Sequence, residues 1–117
     1  PPFEAADEFE RLSRAVRQGL RRFATGCYAV WYPIKDEAAV ADFLGGLAAF
    51  RRLTMTLRLD AALDAGKLGA CGLVVINPPW RFEEAMAEAL PWIAAVLGGK
   101  SSVAATPASA PAPASPP

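Results

Sequence analysis

Histidine is absent from this 117-residue sequence, and cysteine occurs only at Cys27 and Cys71. The lack of histidine excludes Ser-His and Cys-His catalysis and most zinc sites. Each cysteine stands far from the other, so the pair predicts no metal cluster. Nothing in the sequence indicates secretion, so it does not favour a disulfide either. We therefore expect no bound metal and two buried thiols in the reducing cytoplasm.

Long hydrophobic runs, net charge and an initiator methionine are also missing. No apolar run reaches the roughly 18 residues that a membrane-spanning helix needs, so we expect no membrane partner. Lysine and arginine total 12 and are balanced by 12 acidic residues. Bulk charge thus does not indicate a nucleic-acid partner, although a local basic face is enough for one. The chain begins at Pro1 without a signal or transit pattern, which predicts a fragment whose upstream part is missing.

What the sequence does contain is an alternation of helix and strand patterns typical of an α/β fold. Apolar residues at helical spacing predict three helices, over 7–23, from the N-cap Asp36 to Leu47, and over 82–97. Short runs that are continuously apolar or alternate between apolar and polar residues predict three strands, over 27–32, 53–60 and 72–76.

The predicted strands indicate how the sheet is built. The first is a continuous apolar run, which is typical of a strand buried on both faces of a parallel sheet. The second and third are too close for a helical crossover, so we expect an antiparallel hairpin. Pro91 should kink or restart the last helix. Residues 99–117 are mostly alanine, proline and serine, which predicts a disordered tail.

The third predicted strand ends in Asn77-Pro78-Pro79-Trp80. An Asp/Asn-Pro-Pro-aromatic turn after an apolar strand is typical of the catalytic loop in enzymes that methylate the exocyclic amines of nucleobases. A side-chain oxygen and a proline-fixed backbone carbonyl accept hydrogen bonds from the amine hydrogens, and the aromatic ring stacks on the flipped base. Such a site acts by positioning and electrostatic complementarity.

A second stretch, Pro1-Pro2-Phe3, matches the same motif except for the residue before Pro1. A catalytic loop belongs at the carboxyl edge of a parallel strand. Asn77 ends the antiparallel member of a hairpin and should therefore lie at the opposite edge. We predict that Asn77 belongs to a structural turn, with Trp80 packed on the last helix, and that Pro1-Pro2-Phe3 is the catalytic turn.

The sequence resembles the carboxyl-terminal half of the RlmJ family of bacterial 23S ribosomal RNA methyltransferases. The resemblance covers about residues 1–97 and rests on separated blocks in the same order: PPFE at 1–4, RRFATGCYAVWYPI at 21–34, GLVVINPPW at 72–80 and LPWI at 90–93.

The resemblance implies the carboxyl-terminal half of a class I, Rossmann-like S-adenosylmethionine-dependent methyltransferase that ends in an antiparallel hairpin. Residues 1–98 would form part of the methyltransferase domain. Its substrate would be an adenine exocyclic amine in 23S ribosomal RNA. Pro1, Pro2 and Phe3 would carry the catalytic motif, with the Asp missing and Phe3 where Tyr is usual. Phe3 and Glu4 would contact the substrate.

The resemblance further implies that the cofactor is bound mainly by the missing amino-terminal half and that the fragment alone is inactive. Two other functions remain open: a DNA adenine or protein amide methyltransferase on the same fold, and a non-catalytic RNA-binding or assembly remnant. Arginines at 14, 17, 21 and 22 line one helix face. They are either contacts for RNA phosphates or, more simply, a solvated face.

Overall fold

The computed structural model describes residues 7–59 and 69–108. Within them the chain forms α1 (Glu8–Arg22), β1 (Tyr28–Pro33), α2 (Glu37–Gly45), β2 (Arg52–Leu59), β3 (Ala70–Ile76), α3 (Phe82–Leu97) and β4 (Gly99–Thr106).

The strands form a four-stranded sheet in the order β1-β3-β2-β4. β3 runs antiparallel to both β1 and β2, so β1 and β2 are parallel to each other and α2 is the connection between them. The hairpin predicted for β2 and β3 is confirmed, with Leu53 opposite Val75 and Leu57 opposite Cys71. The sheet therefore has a carboxyl edge, where β1 and β2 end, and an amino edge, where they begin.

Helices cover both faces of this sheet. α1 and α2 pack on one face around a core of Val16, Leu20, Val30, Tyr32, Val40, Phe43, Leu47, Val74 and Ile76. α3 packs on the other face, where Phe82, Met86 and Leu90 contact a smaller core of Leu53, Met55 and Val75. The alternation along β3 divides its side chains between the two cores because successive strand residues point to opposite faces.

Local sequence signals account for α1 and α2. Glu8 and Glu10 lie in the first turn of α1 and Arg21 and Arg22 in its last turn, which complements the helix dipole. The Asp36 carboxylate accepts hydrogen bonds from the backbone nitrogens of Ala38 and Ala39 at 3.0 and 3.3 Å, as the predicted N-cap requires.

Two predicted burial patterns are wrong. The sequence predicts β1 as a strand of a parallel sheet, buried on both faces, but its described neighbour β3 runs antiparallel to it and it is buried on one face only. Val30 and Tyr32 pack under the helices, whereas Trp31 on the other face is 43% exposed because β1 is an edge strand of the described sheet. The helical spacing of apolar residues over 82–97 also predicts that Ile93 and Leu97 face inward, but both are exposed and Ala94 is buried in their place. α3 also continues through Pro91 instead of restarting there.

The disordered tail predicted for 99–117 is wrong in its first part, because Gly99–Thr106 form β4 and pair antiparallel with the edge of β2. Gly98 ends α3 in the left-handed region, with φ 73°, and so lets the chain turn back. Val103 then packs against the core beneath α3. Residues 109–117 lie outside the described part of the chain.

Two other predictions concern the burial of the cysteines and membrane-spanning helices. Both cysteines are free thiols, but Cys27 is exposed and Cys71 is only partly buried, so the prediction of two buried thiols is wrong. In the part of the chain that the structure describes, no helix is long and apolar enough to cross a bilayer.

Candidate active site

The direction of α1 indicates at which edge of the sheet the helix begins, and therefore from which edge the preceding part of the chain enters it. The Phe9 ring, near the start of α1, lies 6.2 Å from the Tyr32 ring, centroid to centroid, near the end of β1. At the other end of α1, the Tyr28 hydroxyl donates to the carbonyl oxygen of Gly19 at 2.9 Å. α1 thus runs antiparallel to β1 and begins at the carboxyl edge.

Polar groups gather at this carboxyl edge. Asp36 caps α2 there, and Arg58, near the end of β2, forms a 2.9 Å ion pair with Glu37. The candidate site residues Pro1, Pro2, Phe3 and Glu4 lie outside the described residues. Their assignment therefore stays a prediction, which the direction of α1 favours.

Asn77 lies at the opposite edge. It follows β3, whose last residue Ile76 pairs with the first residues of β1 and β2, Tyr28 and Arg52. Its side-chain nitrogen donates at 2.9 Å to the carbonyl oxygens of both Ala24 and Gly26. Its backbone takes the left-handed conformation, φ 55°, which Asn tolerates better than most residues. Asn77 therefore acts as a donor that fastens the turn after α1.

The carbonyls of the Pro-Pro turn also have internal partners. The Pro78 oxygen accepts from the Arg51 guanidinium at 3.0 Å, and the Pro79 oxygen accepts from the Phe82 backbone nitrogen at 3.0 Å. A carbonyl held in this way is poorly placed to accept from a substrate amine. The prediction that Asn77 lies at the edge away from the carboxyl ends of β1 and β2 is confirmed.

Trp80 departs from the sequence-based interpretation. It is 89% exposed and does not pack on α3, because Arg81 adopts φ 65° and turns the chain before the helix begins. The Arg81 guanidinium instead lies over the indole, with its central carbon 5.4 Å from the ring centroid. Sequence reasoning also missed Arg51, since no local pattern links it to a turn 27 residues away.

Among the described residues, the groups near the carboxyl edge do not fit a cofactor such as S-adenosylmethionine. A cavity of about 130 Å³ lies at the end of β2 and the start of β3, and its walls are mostly apolar: Leu57, Leu59, Gly69, Ala70, Cys71 and Leu97. As the described residues line it, this cavity is too small for a nucleoside, and none of those residues offers a carboxylate for ribose hydroxyls. No group of three or more metal-ligating side chains occurs within residues 7–59 and 69–108.

Comparisons with known proteins agree on one family. A family model described as "Ribosomal RNA large subunit methyltransferase D, RlmJ" matches residues 1–106. Over 100 residues the chain is 38% identical to "Ribosomal RNA large subunit methyltransferase J" of Haemophilus influenzae, covering 83% of this chain and 36% of that protein. The protein of the same name from Escherichia coli is 34% identical over 96 residues, covering 80% of this chain and 34% of that protein.

A solved structure supports the fold. A crystal structure of a protein from Legionella pneumophila superposes with a TM-score of 0.81 at 24% identity, covering 91% of this chain and 41% of that one. At that identity the likeness concerns the fold alone. The chain spans about a third of the length of the curated relatives that it matches.

Proposed function

Because the chain belongs to the RlmJ family of ribosomal RNA large subunit methyltransferases, we propose that the full-length protein methylates an adenine exocyclic amine in 23S ribosomal RNA. The methyl donor in this proposal is S-adenosylmethionine, and the fold is a class I, Rossmann-like domain of which this chain is the carboxyl-terminal half. The observation that carries the proposal is the family match over residues 1–106.

In this proposal the residues at the start of the chain hold the adenine. Pro1 and Pro2 fix a backbone carbonyl that accepts one amine hydrogen, and Phe3 stacks on the flipped base. An Asp before Pro1 accepts the other hydrogen, and Glu4 contacts the substrate. The start of α1 at the carboxyl edge supports this assignment, as do the internal partners of Asn77 and Pro78.

The cofactor is assigned to the part of the full-length protein outside this chain. The small apolar cavity at the end of β2 and the start of β3 gives no reason to place the cofactor among the described residues. The 117-residue chain alone should therefore neither bind S-adenosylmethionine nor transfer methyl groups.

The test is a methylation assay with the full-length protein and radiolabelled S-adenosylmethionine. Deproteinised 23S ribosomal RNA, duplex DNA and a protein mixture are offered separately. We expect label in the RNA, as N6-methyladenosine after digestion to nucleosides. Label in DNA or protein alone would indicate a different methyltransferase on the same fold, and no transfer to any substrate would favour a non-catalytic remnant.

A further inference from the structure

The amino edge of the sheet, opposite the proposed catalytic edge, carries a groove rich in arginine. Its cavity has a volume of about 410 Å³ and is lined by Arg51, Arg52, Pro78, Pro79, Trp80 and Arg81, among others. These residues come from the start of β2 and from the turn between β3 and α3. We call this cavity the amino-edge groove.

The charge of the groove is positive despite acidic neighbours. Glu83 and Glu84 also line it, and Glu84 is already paired with Arg81 at 2.9 Å. Arg51 and Arg52 direct their guanidinium groups to backbone carbonyls instead of carboxylates, so their charges are not neutralised by these bonds. The groove thus offers cationic groups to an anionic ligand.

Trp80 gives the groove an aromatic wall. It is 89% exposed, although burial is the usual state of so large an apolar side chain. The left-handed backbone of Arg81, φ 65°, is unfavourable for a residue other than glycine or asparagine, and such strain tends to occur at functional sites. The two residues together present an indole and a guanidinium side by side at the surface.

An exposed indole beside fixed guanidinium groups matches the chemistry of single-stranded RNA, whose bases stack on aromatic rings and whose phosphates bind arginine. We propose that the amino-edge groove binds an unpaired segment of the ribosomal RNA substrate, with one base stacked on Trp80. This inference rests on the proposed function. β2 has 8 residues, and at about 3.3 Å per residue the groove lies roughly 25 Å from the carboxyl edge.

The test measures RNA binding and methylation by the full-length enzyme with Trp80→Ala, Trp80→Phe or Arg81→Asn. Asn at position 81 tolerates the left-handed backbone while removing the guanidinium. Arg11→Gln is the control for a lost exposed arginine, because Arg11 also pairs with a nearby acid, Asp7, at 2.9 Å.

We expect Trp80→Ala to raise Kd and KM for 23S ribosomal RNA about tenfold with kcat unchanged, whereas Trp80→Phe retains most of the affinity. Arg81→Asn should reduce the slope of log K against log salt by about one, and Arg11→Gln should not. A short hairpin that holds the target base but spans less than roughly 25 Å should bind wild type and Trp80→Ala equally.

An unchanged Kd in Trp80→Ala, with wild type methylating the RNA normally, would overturn this inference and leave the proposed function intact. An equal loss of affinity on the short hairpin would also overturn it, since the groove would then not be remote from the target. A wild-type enzyme that does not methylate RNA at all would remove the basis of both proposals.

Discussion

The side-chain nitrogen of Asn77 lies 2.9 Å from the carbonyl oxygen of Gly26, and this hydrogen bond ties the turn after β3 to the turn before β1. The same nitrogen bonds Ala24 at 2.9 Å, so one amide satisfies two carbonyls of the irregular segment between α1 and β1. The turn that begins at Asn77 has the sequence of a catalytic loop, but its asparagine side chain has a structural role.

Replacing Asn77 tests that role through stability. Asn77→Ala removes both hydrogen bonds and places alanine at φ 55°, so we expect the free energy of unfolding to fall by about 2 kcal/mol. Asn77→Asp keeps the shape but replaces the donor with a carboxylate that faces two carbonyl oxygens. We expect it to destabilise at least as much, measured by urea unfolding of the full-length enzyme.

The aspartate variant separates two interpretations of the turn. An acceptor for a substrate amine would tolerate aspartate, because a carboxylate accepts hydrogen bonds well. Unchanged stability together with full activity in Asn77→Asp would therefore contradict the structural role.

Much of this fold is predictable because the sequence signals are local. The alternation from Leu53 to Leu59 and the cap at Asp36 depend on neighbouring residues. β2 therefore forms where it is predicted and α2 begins where it is predicted, although α2 ends at Gly45 and not at Leu47. The edge position of Asn77 followed from the antiparallel hairpin alone.

The rest depends on contacts between distant parts of the chain. β4 has the composition of a disordered tail and forms because the edge of β2 supplies backbone partners, as at Met55 and Val103. The Arg51–Pro78 bond and the exposure of Trp80 likewise depend on how separate elements meet. No periodicity in the sequence encodes them.

A close approach at Gly72 gives a second stability prediction. Gly72 lies directly opposite Tyr32 across the strands, and a Cβ atom there would overlap the tyrosine ring. We expect Gly72→Ala to lower the free energy of unfolding by about 2 kcal/mol. A Cβ at Gly45 meets no atom within 4 Å, so Gly45→Ala should be neutral or slightly stabilising. Equal denaturation midpoints for the two variants would show that the ring does not lie over Gly72.

The same tyrosine predicts a dependence on alkaline pH. Burial, with a smaller contribution from Cys71, raises the pKa of Tyr32 above its ordinary value of 10.0. Above about pH 10 the unfolded chain therefore loses this proton while the folded chain keeps it. The contribution of Tyr32 to the free energy of unfolding is therefore fully present below about pH 10 and declines as the pH rises further.

Comparison of the wild type with Tyr32→Phe isolates this effect. Urea midpoints measured between pH 8 and 11 should fall more steeply for the wild type, because phenylalanine cannot ionise. Parallel curves for the two proteins would show that burial of the hydroxyl has no energetic consequence.

Substitutions in β4 test whether this strand, which the amino-acid composition does not suggest, packs on the sheet. Val103 packs toward the core beneath α3, whereas its neighbour Ala104 is exposed. Val103→Asp should lower the free energy of unfolding by about 2 kcal/mol, because it places a charge against that core. Ala104→Asp is the matched control and should change it by less than about 0.5 kcal/mol. Equal effects in thermal unfolding would mean that β4 does not dock on the sheet.

The most direct test of the central claim is the methyl-transfer rate of full-length enzymes carrying Phe3→Ala or Asn77→Ala, measured on deproteinised 23S ribosomal RNA. If the catalytic turn is at Pro1-Pro2-Phe3, Phe3→Ala should lower kcat by about a hundredfold with an unchanged Tm. Asn77→Ala should lower Tm and leave kcat within about twofold at a temperature where it is folded. A lost methyl-transfer rate in Asn77→Ala, with Tm and cofactor binding intact, would contradict the account.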